Sequence, residues 1–548
     1  MTTRSLPNLG VSAQVLAPYL RVIREKTQIP VDFPPAAQAE AAAAAATWRA
    51  LVDSLEFPTL DWATHLAKTA DPVAAVATLP RVEVDPSRAD HALTPGALPH
   101  IDATAIPLVT IDPAESTDLD QAVYLAELST DGRARYLVVY AIASVATFVR
   151  PGGALDQAVW QRGTSVYMPD QTIPLHPPCL SAGAASLLPG QVCPAYVWSI
   201  VLSEEGKSIT SRVDRAFVRS RAKLSYEQVN AAVADGASLP AAAPSDLPRL
   251  LRTIGELRAA READRGGVSA RVPEQEVVTE GDRYRIAYRA NTPAEEWNAQ
   301  ISLLTGIRAA RHMRKANVGI MRTLPPARDE DLARLRNIAR ALHIDWPDTM
   351  PYPEVVRALD PADPAHAAFL LEGTSLFRGS GYRAFGAHNT QPLPHSAADG
   401  IIHAAIAAEY AHVTAPLRRL VDRYGEEVCV AQCAGEPTPA WVVQALDQLP
   451  AVMERTTSRA SQATKQALKI IQTLTMQGRE GQVFAGAAVE KHGDHMRVML
   501  AEPAVMAHCD EDVALGQAGQ FQLVSANLDD NRITVRPARA PSLRGRSR

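Results

Sequence analysis

Four carboxylates crowd one short stretch of this chain. Asp112, Glu115, Asp118 and Asp120 stand together with no basic residue among them. The flanking runs, Ile106-Pro-Leu-Val-Thr-Ile111 and Ala122-Val-Tyr-Leu-Ala-Glu-Leu128, are largely apolar and read as strands. Pro113 favours a turn directly after Asp112. Asp118 and Asp120 are two apart, so an extended backbone points their side chains the same way. Carboxylates held between two buried strands repel one another unless a cation offsets the charge. An all-oxygen donor set suits a hard cation, Mg2+ first and Mn2+ as a substitute. Mg2+ keeps waters and recruits substrate phosphates, which points to phosphoryl chemistry. A solvated acidic turn is the other reading of the same residues. An EF-hand is excluded, because the central Gly and the closing Glu are missing at the required spacing.

The elements that must hold this cluster follow from length and pattern. At 548 residues the chain is too long for one core, and 47% hydrophobic with 21% charged residues fits a soluble globular protein. A net charge of −5 excludes a generally basic surface, so a nucleic-acid ligand needs a local basic channel. The first residues carry no apolar leader core, and no apolar run is long enough to span a bilayer, so no membrane contact is expected. Cys179, Cys193, Cys429, Cys433 and Cys509 read as reduced cytosolic thiols, which places the protein in the cytoplasm.

Taken in order, residues 1–80 read as three helices over 12–25, 35–55 and 61–70, punctuated by prolines. They make a helical N-terminal module, helix-turn-helix-like or a structural cap. Residues 81–104 read as a linker. From 105 to 477 strands come first and helices later, the order of an α+β domain. Residues 478–538 alternate as short strands between Gly and Asp/Asn turns, a pattern that fits an OB-type barrel of the S1 kind. Phe484 and Phe521 are its only Phe, Tyr or Trp residues, so binding there is expected to be electrostatic. Residues 539–548 read as a basic, disordered tail able to contact phosphates. On the helical stretch 441–477, Arg455, Arg459, Lys465 and Lys469 give a basic bias.

Several motifs resemble the ribonuclease II family, whose catalytic domain is called RNB. They are T-I-D112-x5-D118-L-D120, Val149-Arg-Pro-Gly-Gly-Ala-Leu-Asp156 and Arg162-Gly-Thr-Ser-Val-Tyr167-Met-Pro169. Ile173-Pro-Leu, Lys223-Leu-Ser-Tyr-Glu-Gln-Val229, the Glu295-Glu296 helix start and Tyr410-Ala-His-Val-Thr414-Ala-Pro-Leu-Arg418-Arg419-Leu-Val-Asp422 follow in family order. The resemblance implies a multidomain α+β protein with an RNB-type catalytic domain of mixed sheet and helices. It also implies a processive exonuclease acting from the 3′ end of single-stranded RNA, through a narrow channel, releasing nucleoside 5′-monophosphates with Mg2+. A monomer is expected. Position by position, Asp112, Asp118 and Asp120 match three of the family's four catalytic aspartates, and all three are expected to bind metal. The fourth position holds Gln121, a neutral amide oxygen in place of a carboxylate, expected as a weaker or displaced metal ligand. Tyr167 matches a tyrosine that stacks on the 3′-terminal base, Glu295 a glutamate lining the substrate end of the channel, and Arg418 an arginine at the scissile phosphate. The partner aromatic expected near 268–272 is absent from Val-Ser-Ala-Arg-Val, and the usual Ser of the last motif is Ala415.

Elementary chemistry supports the same roles. Phosphodiester hydrolysis needs an activated water and stabilisation of charge on the leaving oxygen, which divalent ions held by aspartates supply. Arg418, with Arg419 as a second contact, offers guanidinium donors to phosphate oxygens. The face of Tyr167 binds any base without reading sequence. Two alternatives stand beside this reading. One is an RNA-binding protein of the same fold with catalysis impaired by Gln121. The other is an enzyme acting on single-stranded DNA.

Overall fold

The computed structural model describes residues 10–85, 87, 91–128, 133–269, 274–387, 393, 401–492 and 495–538. The tail expected at 539–548 and most of the 268–272 stretch lie outside the described residues.

A seven-stranded mixed sheet carries the acidic loop. Its strands are β1 (Ile101–Asp102), β2 (Val109–Asp112), β3 (Gln121–Glu127), β4 (Tyr136–Ala143), β5 (Val192–Leu202), β6 (Ser208–Arg219) and β7 (Ala222–Ser225). They lie in the order β7-β2-β3-β4-β5-β6-β1. The outer pairs β7–β2 and β6–β1 are parallel, the inner ones antiparallel. Tyr-Leu-Val-Val-Tyr-Ala-Ile-Ala of β4 is buried at every position. Such an unbroken apolar run suits a central strand covered on both faces.

Seven helices matter for the site: α1 (Ala13–Lys26), α2 (Pro35–Asp53), α3 (Ala154–Arg162), α4 (Leu247–Asp264), α5 (Pro293–Ala316), α6 (Leu420–Ala434) and α7 (Leu449–Met476). α6 is fastened to the sheet by buried polar bonds. Trp198 Nε1 donates to Glu426 at 3.0 Å, Tyr196 Oη to Glu427 at 2.6 Å, and Arg215 to Glu427 at 2.6 Å. Such bonds have fixed geometry, so they set the rotation and height of α6 as well as its contact with the sheet.

The N-terminal helices share cores with the rest of the chain. Trp48 of α2 stacks on Phe217 of β6 at 5.6 Å and bonds the Val192 carbonyl. Leu16, Leu20 and Ile23 of α1 enter a second core with Met168, Ile173, Ile286 and Ile471. The span expected as a linker, 81–104, supplies the edge strand β1. A hairpin of β8 (Glu274–Glu280) and β9 (Arg283–Arg289) takes Val11 as an extra strand against Tyr284.

The closed C-terminal barrel consists of β10 (Val483–His492), β11 (His495–Leu500), β12 (Val505–Cys509), β13 (Ala518–Asn527) and β14 (Arg532–Pro537), in the order β10-β11-β12-β14-β13. Phe484 and Phe521 face each other across β10 and β13 and are both buried, so they fill the barrel and are not available to stack on bases.

Candidate active site

Asp112 closes β2, and Gln121 opens the antiparallel β3, so the acidic loop hangs from one end of the sheet. Its course is pinned on both sides. Lys223, beside Thr110 in the β7–β2 register, donates through Nζ to the Ala114 carbonyl at 2.5 Å and the Ser116 carbonyl at 2.6 Å. Ser186 donates to the Thr117 carbonyl at 2.7 Å and accepts from the Leu119 N–H at 2.9 Å. Leu119 is fully buried between Asp118 and Asp120, which anchors the loop apolarly. Glu115 is exposed on the outside of the turn.

The three aspartates have different surroundings. Asp120 is buried; its Oδ1 accepts from the Leu417 N–H at 2.7 Å, and its Oδ2 lies 3.7 Å from Arg418 Nε. Burial raises its pKa well above the usual range, while the Arg418 charge and the Leu417 N–H act the other way. Asp118 accepts a long, 3.4 Å bond from the Tyr167 hydroxyl. Asp112 is pushed up to about 7 by burial first and then by the Asp118 charge, against Lys223 and Arg418. Its Oδ2 is buried with no donor.

A buried carboxylate oxygen without a partner, next to a second carboxylate, is what a hard cation would relieve. Mg2+ typically takes one or two protein carboxylates and fills its shell with water and phosphate, so Asp112 and Asp118 fit one such ion. They do not form a closed cage: among the described residues, no three acidic, His or Cys side chains converge as a metal-binding group. Gln121 differs from expectation. Its Nε2 donates to the Thr414 carbonyl at 2.5 Å and its Oε1 accepts from Tyr140 at 2.6 Å, so both ends of the amide are already bonded.

Arg418 and Arg419 sit on the loop leading into α6. Leu417 is held by Asp120, its carbonyl by His176 at 3.1 Å, and the Arg418 carbonyl by the Ser165 N–H at 3.0 Å. Arg418 keeps 43% of its side chain exposed beside the acidic loop. Arg419 departs from its expected place at the phosphate: its side chain is only 17% exposed and bonds Asp422 at 2.8 Å. A guanidinium committed to a fully buried carboxylate has no reach to substrate.

Tyr167 lies on a two-strand hairpin, Val166–Tyr167 against Thr172–Ile173, with 48% of its surface exposed next to Asp118. Its ring face is therefore open to a base. Glu295 is taken up locally. It closes a capping box with Thr292 at the start of α5, accepting from the Thr292 N–H at 2.7 Å, and pairs with Arg289. Burial alone would raise its pKa, but these donors hold it below the usual value. Arg459 is likewise used inside the fold, donating to the Gln28 and Gln161 carbonyls. Sequence reading did not assign roles to Lys223, Ser186, Tyr140 or Thr414. Lys223 and Thr414 do fall within the motifs quoted above, and Tyr140 shows as a hydroxyl within the apolar run of β4.

The chain matches the RNB domain family over residues 100–428 and the RNase II-type exonuclease C-terminal S1 domain over residues 482–538. Ribonuclease R of Escherichia coli K12 is 30% identical over 334 residues, or 59% of this chain and 39% of that protein. The match therefore spans well under half of that relative. Mycoplasma genitalium RNase R, solved in complex with ribose-methylated single-stranded RNA, superposes with a TM-score of 0.76 at 17% identity, covering 95% of this chain and 78% of that one. Yeast Ssd1, a pseudonuclease, superposes with a TM-score of 0.58 at 15% identity, covering 78% of this chain and 51% of that one. At these identities the structural likeness is one of fold.

Proposed function

Because this chain belongs to the RNB family, we propose that it is a 3′-to-5′ exoribonuclease that hydrolyses single-stranded RNA to nucleoside 5′-monophosphates. The observation that carries the reading is the loop at one end of the sheet that bears the buried, donor-less Asp112 oxygen next to Asp118, with Asp120 beside the partly exposed Arg418. Asp112 and Asp118 would hold Mg2+, which when bound supplies charge stabilisation and an acidified water for phosphodiester hydrolysis. Asp120 steadies the Leu417–Arg418 segment from beneath. Arg418 binds and orients the phosphate through its forked donors. Tyr167 offers its open face to the terminal base, a contact indifferent to sequence. The five unpaired cysteines support a reducing, cytosolic setting, and among the described residues no helix is long and apolar enough to cross a membrane.

The test is 5′-labelled RNA with purified protein and Mg2+. Stepwise shortening from the 3′ end, falling by about 100-fold or more in Asp120→Asn, is the expected result; internal cuts, or full activity in the variant, refute it. The second reading, an RNA-binding protein without efficient catalysis, draws support from the neutral residue at 121 and from the likeness to a pseudonuclease. It predicts bound RNA without mononucleotide release, and a gain of activity in Gln121→Asp.

A further inference from the structure

Gln121 stands directly after Asp120, at the head of β3. Its amide is bonded at both ends, to the Thr414 carbonyl at 2.5 Å and to the Tyr140 hydroxyl at 2.6 Å. A carbonyl only accepts, so the group facing Thr414 must be the amide nitrogen, and Tyr140 must then donate to the amide oxygen. A carboxylate at this position would set an anionic oxygen against the Thr414 carbonyl, two acceptors with no proton between them. The place therefore calls for a donor and an acceptor on one side chain.

What the amide holds is the start of the Arg418 loop. The Thr414 hydroxyl meets Ser302 of α5 at 2.8 Å, the Ala415 N–H donates to Asp422 at 2.7 Å, and the Leu417 N–H donates to Asp120 at 2.7 Å. Two consecutive residues of the acidic strand thus grip this loop at two points, Asp120 at Leu417 and Gln121 at Thr414. Arg418 follows immediately and projects beside the carboxylates. Tyr140, 1% exposed on β4, ties the latch to the centre of the sheet.

We propose that Gln121 is a positioning residue and not an ion ligand: its amide latches the Thr414 carbonyl to β3 and so sets where the Arg418 guanidinium stands beside Asp120 at the acidic loop. The proposal rests on the acidic loop being a phosphodiester site, so its measurements are chosen to work without cleavage. Ion affinity is read by titrating Mn2+ in the absence of RNA. RNA affinity is read by fluorescence anisotropy of 5′-fluorescein single-stranded RNA with Ca2+ replacing Mg2+.

Gln121→Ala is expected to leave Mn2+ affinity within about twofold, whereas losing a true ligand or its support costs about tenfold or more. The same variant raises the RNA Kd about fivefold or more, as expected for a lost, partly buried hydrogen bond. In an Arg418→Ala background the substitution has no further effect on RNA affinity, because the residue through which it acts is gone. Tyr140→Phe removes one hydroxyl and shifts RNA affinity in the same direction, which keeps the proposal testable should Gln121→Ala fail to fold. A tenfold fall in Mn2+ affinity, an unchanged RNA Kd in either variant, or an equal loss in the Arg418→Ala background would each overturn it. If no variant cleaves RNA, wild type included, the exonuclease reading fails while the coupling between Gln121 and Arg418 is still decided.

Discussion

Arg419 keeps only 17% of its side chain exposed against the fully buried Asp422, while its neighbour Arg418 keeps 43% exposed. The two guanidiniums are alike in sequence and separate in task, because the chain turns into α6 between them and sends alternate side chains inward and outward. Removing one member of a buried pair strands the other charge in a low-dielectric interior. Arg419→Ala is therefore expected to lower unfolding stability by about 3–5 kcal/mol, measured by urea denaturation. Arg418→Ala is expected to change stability by less than about 1 kcal/mol, while weakening RNA binding. A result with the two reversed would show that the roles are assigned the wrong way round. Asp112, Asp118 and Asp120 make the same point: three identical side chains receive different partners, and only Asp112 keeps a buried oxygen without a donor.

The hairpin that carries Tyr167 is too short to be stable by itself. It is braced by α1. Leu16, Leu20 and Ile23 pack against Val166, Met168 and Ile173, and Arg24 donates to both oxygens of Asp170 at 3.0 and 2.8 Å. Arg162 adds a further tie, bonding the Pro174 carbonyl and the Val31 and Asp32 carbonyls. A partly exposed ion pair contributes little to global stability, so Arg24→Ala is expected to cost under about 1 kcal/mol. Its effect falls on Tyr167: RNA affinity drops severalfold, and the charge exchange Arg24→Asp with Asp170→Arg restores part of it. Anisotropy with a short single-stranded RNA checks this, and an unaltered Kd in Arg24→Ala would remove α1 from the binding site's support.

At the scale of the molecule, stability is tied to buried groups that must stay neutral. His176 donates through Nδ1 to the Leu417 carbonyl, while its Nε2 is buried without a partner. Burial lowers its pKa from 6.5 to about 4. His412, partly buried and bonded to the Tyr382 hydroxyl at 2.8 Å, is lowered well below its usual value by desolvation first and then by the Arg419 charge. Between pH 6.5 and about 4 the unfolded chain protonates the His176 imidazole while the folded chain excludes the proton, so the His176 contribution to stability is intact above pH 6.5 and falls as the solution is acidified through this window; the raised Asp112 carboxyl contributes with the opposite sign over the same range. The stability difference between wild type and His176→Asn, read from urea midpoints at successive pH values, should shrink as the pH is lowered through this window. A difference between the two proteins that is independent of pH over this range would contradict the assignment. The site depends on this stability, because His176 grips the same loop that presents Arg418.

Local pattern was enough for much of this protein. The α+β order, the helices at the N-terminus and the five-stranded barrel are written in apolar periodicity and turn residues, which depend only on near neighbours along the chain. The crowding of Asp112, Asp118 and Asp120 was also legible, since charge density on a short loop needs no tertiary information. Tertiary structure alone decided which polar groups remain free. Phe484 and Phe521 are consumed by the barrel interior, and Gln121 by Tyr140 and Thr414, whereas Glu295 and Arg419 are taken by partners only three residues away, Thr292 and Asp422. The partners that fix the site are distant in sequence: Thr414 lies 293 residues from Gln121, and Leu417 lies 297 from Asp120. A hydrogen bond is fixed by distance and angle in space, so which donors and acceptors a chain leaves over for substrate is set only when the chain has folded.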